Sequence, residues 1–118
     1  MIGSLVEADG GTMATVGEPR KLPADVSLAL YRTAQEAVTN ARKHAPGKAV
    51  AVELRYEADA VRLSAVNELS EADVERPLTG SGGGFGLGGL RERIELVGGS
   101  LAAGPEGGRW CLRAVVPG

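Results

Sequence analysis

The sequence predicts an α+β fold, a two-layer α/β sandwich in which one mixed sheet is covered on one face by helices and which carries a glycine-rich lid. Three observations predict it. One long segment has apolar residues at helical spacing, and two pairs of shorter segments alternate like the strands of hairpins. The chain also has 18 glycines in 118 residues, and they are densest just before a second helical pattern. Such a chain needs tight turns and close backbone approaches more than aromatic packing.

Length and composition limit the class of protein. A chain of 118 residues has room for one domain, and we expect it to span residues 12–118 after a leader or truncated end at residues 1–11. A net charge of −2 with scattered basic residues argues against nucleic acid as a partner. No apolar window reaches the length of a membrane span, so we expect a soluble cytoplasmic domain without direct membrane contact. The one cysteine, Cys111, excludes an internal disulfide and is expected to be a buried thiol.

The first elements are a short strand and a long helix. Residues 12–16 read as a strand that ends at a Gly-Glu-Pro turn signal. Pro23 and Asp25 then mark the first turn of a helix, which is expected to end near residues 45–47 because a residue before proline leaves the helical region. One stripe of this helix is predicted to face the core: Leu30, Ala34, Ala37, Val38 and Ala41.

The second half of the chain contains two predicted hairpins around another helix. Residues 49–56 and 61–65 alternate as paired strands, with Asn67 at the outgoing end. A loop at residues 68–84 precedes a helix that is expected to stop at Gly98 and Gly99. Strands at residues 100–103 and 109–116 are predicted to be joined by a turn at residues 104–108. The core face of the last strand is predicted to contain Trp110, Leu112, Ala114 and Val116.

A polar stripe lies beside the apolar stripe of the long helix. Glu36, Asn40, Lys43 and His44 share it at helical spacing. Together they offer a proton acceptor, an oxygen ligand for a hard cation and positive charge for phosphate oxygens. This set outlines a nucleotide site. The alternative is a solvated helix face with Glu36 and Asn40 as ordinary surface residues.

The glycine cluster GFGLGG at residues 84–89 formally matches a dinucleotide-binding fingerprint. Its context is wrong for that use, because a loop precedes it and Arg109 stands where the ribose-binding acid is expected. Glycines that open a helix also allow backbone amides to approach an anion, and the helix dipole favours phosphate there. A flexible linker is the alternative.

Two motifs in this order resemble one family. QEAVTNARKHA at residues 35–45 resembles the N box, and GFGLGGLRER at residues 84–93 the glycine box, of the ATP-binding catalytic domain of bacterial two-component sensor histidine kinases. The glycine box is that of the subfamily paired with helix-turn-helix response regulators. The wider superfamily includes DNA gyrase, the heat-shock chaperones and the mismatch-repair ATPases. The resemblance covers nearly the whole chain and implies a protein histidine kinase with ATP and Mg²⁺ as cofactors.

The resemblance also implies roles for individual residues. Asn40 would coordinate the Mg²⁺ that bridges the nucleotide phosphates, and Glu36 would act as a base or orienting group near the transferred phosphoryl. Lys43 and His44 would lie near the phosphates or the sugar. The lid that closes onto the phosphates would contain Gly84, Gly86, Leu87 and Gly88.

The chain departs from the family at the adenine site. Where the family has an Asp-x-Gly-x-Gly box, residues 67–70 read Asn-Glu-Leu-Ser. Asn67 can offer its amide oxygen to the adenine amino group, but the loss of a charge-assisted hydrogen bond is expected to weaken binding by about 1 kcal/mol.

The family's phosphoacceptor histidine is also missing, because His44 is the one histidine and lies inside the N box. The resemblance therefore implies a histidine-bearing dimerisation domain of the same parent protein, a response regulator as partner and a membrane-anchored sensor. Two other functions stay open. One is a serine-kinase anti-sigma factor of the same superfamily, and the other is a degenerate domain that acts in regulation without nucleotide.

Overall fold

The computed structural model describes residues 11–44, 50–68 and 87–118. For residues 42–44 and 87 within these ranges it describes the backbone but not the side chains. It confirms the predicted α+β class. Residues 1–10 of the predicted leader and residues 69–84 of the predicted loop lie outside the described residues. The elements in chain order are β1 (Thr12–Val16), α1 (Ala24–His44), β2 (Val50–Tyr56), β3 (Ala60–Glu68), α2 (Leu87–Leu96), β4 (Ser100–Glu106) and β5 (Arg109–Pro117).

The strands form one mixed sheet in the order β1-β2-β3-β5-β4. β1 pairs with β2 in parallel, and the other neighbours are antiparallel. The predicted hairpin of β2 and β3 is confirmed, with Val50 opposite Asn67 and Tyr56 opposite Val61. Its turn is closed by a hydrogen bond of 2.8 Å from the Glu57 amide to the Ala60 carbonyl.

Both helices pack against one face of the sheet and enclose the core. The predicted apolar stripe of α1 is buried in full, and α2 adds Leu90 and Ile94. The sheet side of the core consists of alternate residues of the strands, chiefly Val50, Val52, Leu54, Val61, Leu63, Ala65, Leu101, Trp110, Leu112, Ala114 and Val116. Neither helix in the described ranges is both long and apolar enough to cross a membrane.

The start of α1 follows from its first residues. The Pro23 carbonyl accepts a hydrogen bond of 2.9 Å from the Ser27 amide, so proline precedes the helix and does not interrupt it. The Asp25 carboxylate accepts a bond of 2.9 Å from the Val26 amide and lies at the positive end of the helix dipole. Both residues therefore act as the sequence predicts.

The end of α2 explains the glycine pair that follows it. Gly98 has φ 85°. The Gly99 amide donates to the Ile94 carbonyl at 2.9 Å and the Gly98 amide to the Glu95 carbonyl at 3.0 Å, which is the Schellman arrangement of helix ends. A Cβ on Gly99 would lie 2.3 Å from the Val115 carbonyl oxygen. Gly98 is needed because of its positive φ, and Gly99 is needed because no side chain would fit there.

The second hairpin corrects the sequence interpretation. β4 continues to Glu106, and the turn consists of Gly107 and Gly108 alone, with φ 57° and 79°. The prediction of a turn at residues 104–108 is therefore wrong. Two successive residues with positive φ form the tight turn whose twist matches antiparallel strands, and only glycine adopts both angles easily. Pro105 is tolerated before the turn because β4 is an edge strand.

Candidate functional site

The topology brings the end of α1 and the end of β3 to the same end of the sheet. Because β1 and β2 are parallel, α1 must return the chain to the end of the sheet at which both strands begin. β3 is antiparallel to β2 and therefore finishes at that end, where Asn67 lies opposite Val50. The candidate site lies here, between the helix layer and the sheet.

Asn40 is the buried polar residue of α1 in this region. It is 2% exposed and lies among the buried side chains Ala37 and Ala41. This burial contradicts the alternative in which Asn40 is an ordinary surface residue. A buried amide is costly unless its polar atoms find partners, and its oxygen is a ligand type that hard cations accept.

Glu36 lies one helical turn before Asn40 and is half-buried. Residues four apart share a helix face, so the carboxylate lies on the same side of α1 as the Asn40 amide. Lys43 and His44 belong to the last turn of α1, but their side chains lie outside the described residues.

Asn67 is the buried polar residue of the sheet at the same end of the molecule as Asn40. Its side chain is 4% exposed and shares the core-facing side of β3 with Leu63 and Ala65. The Asn67 Nδ2 group donates a hydrogen bond of 3.3 Å to the carbonyl oxygen of Glu68. One of the two donor hydrogens of the amide is therefore bound within its own strand.

The start of α2 is glycine-rich without a structural need for glycine. Gly88 and Gly89 lie exposed in the first turn, have no positive φ, and a Cβ on either would meet nothing within 4 Å. Glycine in such a place destabilises a helix by roughly 0.5–1 kcal/mol relative to alanine. Leu87 begins the helix, while Gly84 and Gly86 lie outside the described residues. Gly88 and Gly89 carry no side chains, so their part of the first turn leaves the backbone amides open to an approaching anion.

Trp110 is a neighbour of the site that sequence reasoning placed only in the core. It is directly opposite Asn67 in the pairing of β3 with β5 and shares its face of the sheet. The alternation of β5 predicts burial of this tryptophan, but the pairing register that places it beside Asn67 is not visible in the sequence.

The family model described as histidine kinase-, DNA gyrase B- and HSP90-like ATPase matches residues 25–117, from the first turn of α1 to the end of β5. The chain belongs to this family. Membership confirms the resemblance drawn from the two motifs and identifies an ATP-binding domain of the histidine kinase type.

Curated relatives in this family include two proteins named signal transduction histidine-protein kinase/phosphatase DegS. The one from Bacillus subtilis is 32% identical over 84 residues, which are 71% of this chain and 22% of the relative. The one from Brevibacillus brevis is 33% identical over 86 residues, which are 73% of this chain and 22% of the relative. The chain therefore matches about a fifth of the length of these relatives.

Solved structures of histidine kinases share the fold. A nucleotide-free catalytic domain of histidine kinase ThkA has a TM-score of 0.69 at 19% identity, over 89% of this chain and 77% of that one. Histidine kinase AdeS of Acinetobacter baumannii has a TM-score of 0.69 at 12% identity, over 97% and 61% of the two chains. The arrangement of strands and helices is thus that of an ATP-binding histidine kinase domain.

Proposed function

We propose that this chain presents Mg-ATP for phosphoryl transfer to a histidine on a dimerisation domain of the same parent protein, for relay to a response regulator. The observation that carries the proposal is that two buried asparagines, Asn40 and Asn67, lie toward the same end of the sheet in a family of ATPases. Another ThkA structure contains that kinase in complex with the response regulator TrrA, which supports the choice of partner.

The residues present fit a magnesium ion. Asn40 supplies an amide oxygen in a largely dry environment, and Glu36 supplies a carboxylate one turn away. Magnesium prefers oxygen ligands and is commonly held by few protein groups together with phosphate oxygens. An ion held by Asn40 would neutralise charge on the phosphates, which is a large part of what phosphoryl transfer requires.

The other site residues have distinct parts in the proposal. Glu36 orients or deprotonates the attacking nitrogen of the acceptor histidine, because its carboxylate shares a face of α1 with Asn40, the proposed magnesium ligand. Lys43 and His44 contribute positive charge at the end of α1. The start of α2 approaches the phosphates closely through its lid residues, Gly84, Gly86, Leu87 and Gly88. Asn67 accepts a hydrogen bond from the adenine amino group.

The proposal places the domain in the cytoplasm, where ATP and response regulators are found. It assigns residues 12–118 to the nucleotide-binding unit, beginning with β1. The parent protein would carry the sensor, anchored in the membrane, and the dimerisation helices. This assignment rests on the resemblance and on the small fraction of the DegS relatives that the chain matches.

Titration calorimetry with ADP and a non-hydrolysable ATP analogue, each with and without Mg²⁺, tests the binding part. We expect magnesium-dependent binding that Asn40→Ala abolishes. Gln35→Ala is the matched control, since it removes an amide side chain from the same helix. Its amide oxygen lies at the surface and accepts a bond of 3.2 Å from Arg32. Nucleotide binding that is unchanged by the removal of Mg²⁺ and by Asn40→Ala would contradict the site. Absence of any nucleotide binding would favour a regulatory domain without nucleotide.

A further inference from the structure

Arg32 and Glu36 lie one helical turn apart on α1, where an arginine and a glutamate can form an ion pair. The structure shows a different contact. Arg32 Nη1 donates a hydrogen bond of 3.2 Å to Oε1 of Gln35. Among the described residues, Glu36 has neither a hydrogen-bond partner nor an ion-pair partner. The half-buried carboxylate is therefore open on the side of α1 that it shares with Asn40.

The neutral partner of Arg32 differs from the partners of other exposed arginines in the described ranges. Those arginines contact glutamates: Arg55 with Glu53 at 3.1 Å, Arg62 with Glu57 at 2.7 Å and Arg113 with Glu106 at 2.7 Å. Successive residues project about 100° apart around a helix axis. A guanidinium that is turned toward Gln35 is consequently turned away from Glu36.

We infer that Gln35 is a positioning residue for phosphoryl transfer: its amide oxygen keeps Arg32 away from Glu36 and leaves the Glu36 carboxylate open to the acceptor histidine. The inference rests on the proposed function, in which Glu36 acts on that histidine. During transfer an imidazole nitrogen bonds to the γ-phosphorus, while the bond from that phosphorus to the bridging oxygen of ADP breaks. Glu36 accepts the proton that the imidazole gives up.

An ion pair with Arg32 would oppose this role of Glu36 in two ways. A carboxylate beside a guanidinium holds its negative charge more firmly and is a poorer proton acceptor. The carboxylate oxygens would also be directed along the helix toward Arg32, and not toward an imidazole that approaches from outside. Loss of the Gln35 amide should therefore slow transfer without affecting the binding of nucleotide.

The rate of transfer is measured in the parent protein, as labelled γ-phosphate that passes from Mg-ATP to the acceptor histidine. At saturating Mg-ATP, Gln35→Ala should transfer about twofold more slowly, the factor that corresponds to an exposed ion pair on a helix. The KM for ATP should stay unchanged, because Gln35 is not proposed to touch the nucleotide. The loss should shrink as salt is raised from about 0.1 M to about 1 M, since salt screens exposed ion pairs.

Arg32 supplies the control that separates this role from a structural one. Arg32→Ala should transfer at the rate of the unchanged protein, because it removes the competing cation. The double variant of Arg32→Ala with Gln35→Ala should recover that rate. A second truncation would not repair the loss of a glutamine that only stabilises the helix.

The contact itself is tested in this chain by an NMR spectrum of the side-chain NH₂ groups. Arg32→Ala should shift the Gln35 pair of signals, because it removes the donor to Oε1, and should leave the Asn40 and Asn67 pairs in place. If the Gln35 signals stay unmoved, Arg32 does not contact Gln35 in solution, and the inference is overturned.

Failure of the inference is distinguishable from failure of the proposed function. If the unchanged parent protein transfers phosphate and Gln35→Ala does so at the same rate, the inference alone is overturned. The same conclusion follows if the double variant stays as slow as Gln35→Ala. If Mg-ATP does not bind, or if the unchanged parent protein phosphorylates no histidine, the proposed function fails and the inference fails with it.

Discussion

At the scale of single residues, burial distinguishes the candidate side chains. In the described parts of the chain, the buried polar residues are Thr33, Asn40 and Asn67. Thr33 has a local explanation, since its hydroxyl donates to the Ala29 carbonyl at 2.8 Å on the same helix. The two asparagines lie at the proposed nucleotide site. The sequence places Asn40 on a polar stripe and cannot show that Asn40 itself is buried.

Cys111 is buried as the sequence predicts, at 6% exposure, on the face of the sheet opposite the helices. Burial raises the pKa of its thiol above the ordinary value, and the Glu106 carboxylate raises it further. The thiolate is the reactive form, so the folded protein should react with a colorimetric disulfide reagent about tenfold or more slowly than the unfolded chain near pH 8. Glu106→Gln should increase the folded rate. Equal rates for folded and unfolded protein would show that the thiol is accessible.

At the scale of elements, the sequence predicts type better than limits. The helical spacing in α1 and α2 and the alternation in β2, β3 and β5 identify each element, because these periods follow from the geometry of backbone and core. The sequence predicts β4 too short, because Gly104 and Pro105 are turn residues in most contexts but lie here in an edge strand. Whether the turn covers residues 104–108 or only Gly107 and Gly108 depends on the positive φ of these two glycines, which composition does not reveal.

Gly88 and Gly89 make α2 weaker than its fold requires. Alanine at either position meets no neighbour, so each substitution should raise the free energy of unfolding by about 0.5–1 kcal/mol in urea denaturation without nucleotide. Gly88→Ala should at the same time weaken binding of the ATP analogue in calorimetry, because a methyl group then stands where phosphates are proposed to approach.

Gly99→Ala is the matched control at the other end of α2. It should lower stability, because its Cβ would lie 2.3 Å from the Val115 carbonyl oxygen. If Gly88→Ala stabilises the chain and leaves nucleotide affinity unchanged, the glycine does not serve phosphate approach.

At the scale of the whole molecule, Arg20 joins three distant segments at the edge of the sheet away from the proposed site. Its guanidinium donates to the backbone oxygens of Gly118 and Ala60, at 3.1 Å and 3.4 Å, with a second, shorter contact to Gly118. It also lies 5.7 Å from the centre of the Tyr56 ring, within the range of cation–π attraction. The connection from β1 to α1 is thereby fixed to the turn after β2 and to the residue after β5.

Arg20→Ala should lower the free energy of unfolding by about 1 kcal/mol, a value reduced for the partial exposure of these contacts. Arg20→Lys should lose less stability, because lysine retains the positive charge although it lacks the forked donors of arginine. Urea denaturation measures both variants, and calorimetry should show unchanged nucleotide affinity. A loss of affinity in Arg20→Ala at unchanged stability would mean that this edge of the sheet communicates with the nucleotide site.

Contacts between distant parts of the chain limit what a single sequence can predict. The fold class and the family follow from periodicity and from two motifs, since both are local in sequence. The contact between Arg20 and Gly118 spans nearly the whole chain and depends on strand order, and so does the placement of Trp110 opposite Asn67. The roles of Glu36, Lys43, His44 and the lid glycines stay predictions that follow from the resemblance.

The central claim is that one nucleotide lies between Asn40 on α1 and Asn67 on β3. Besides these two asparagines, the chain has one other side-chain amide, on Gln35, so an NMR spectrum of the side-chain NH₂ groups contains three pairs of signals. We predict that Mg-ADP shifts both asparagine pairs, with the Gln35 pair much less affected, and that Asn40→Ala prevents the shift at Asn67. If the nucleotide binds while both asparagine pairs stay unmoved, it binds elsewhere, and the site described here is contradicted.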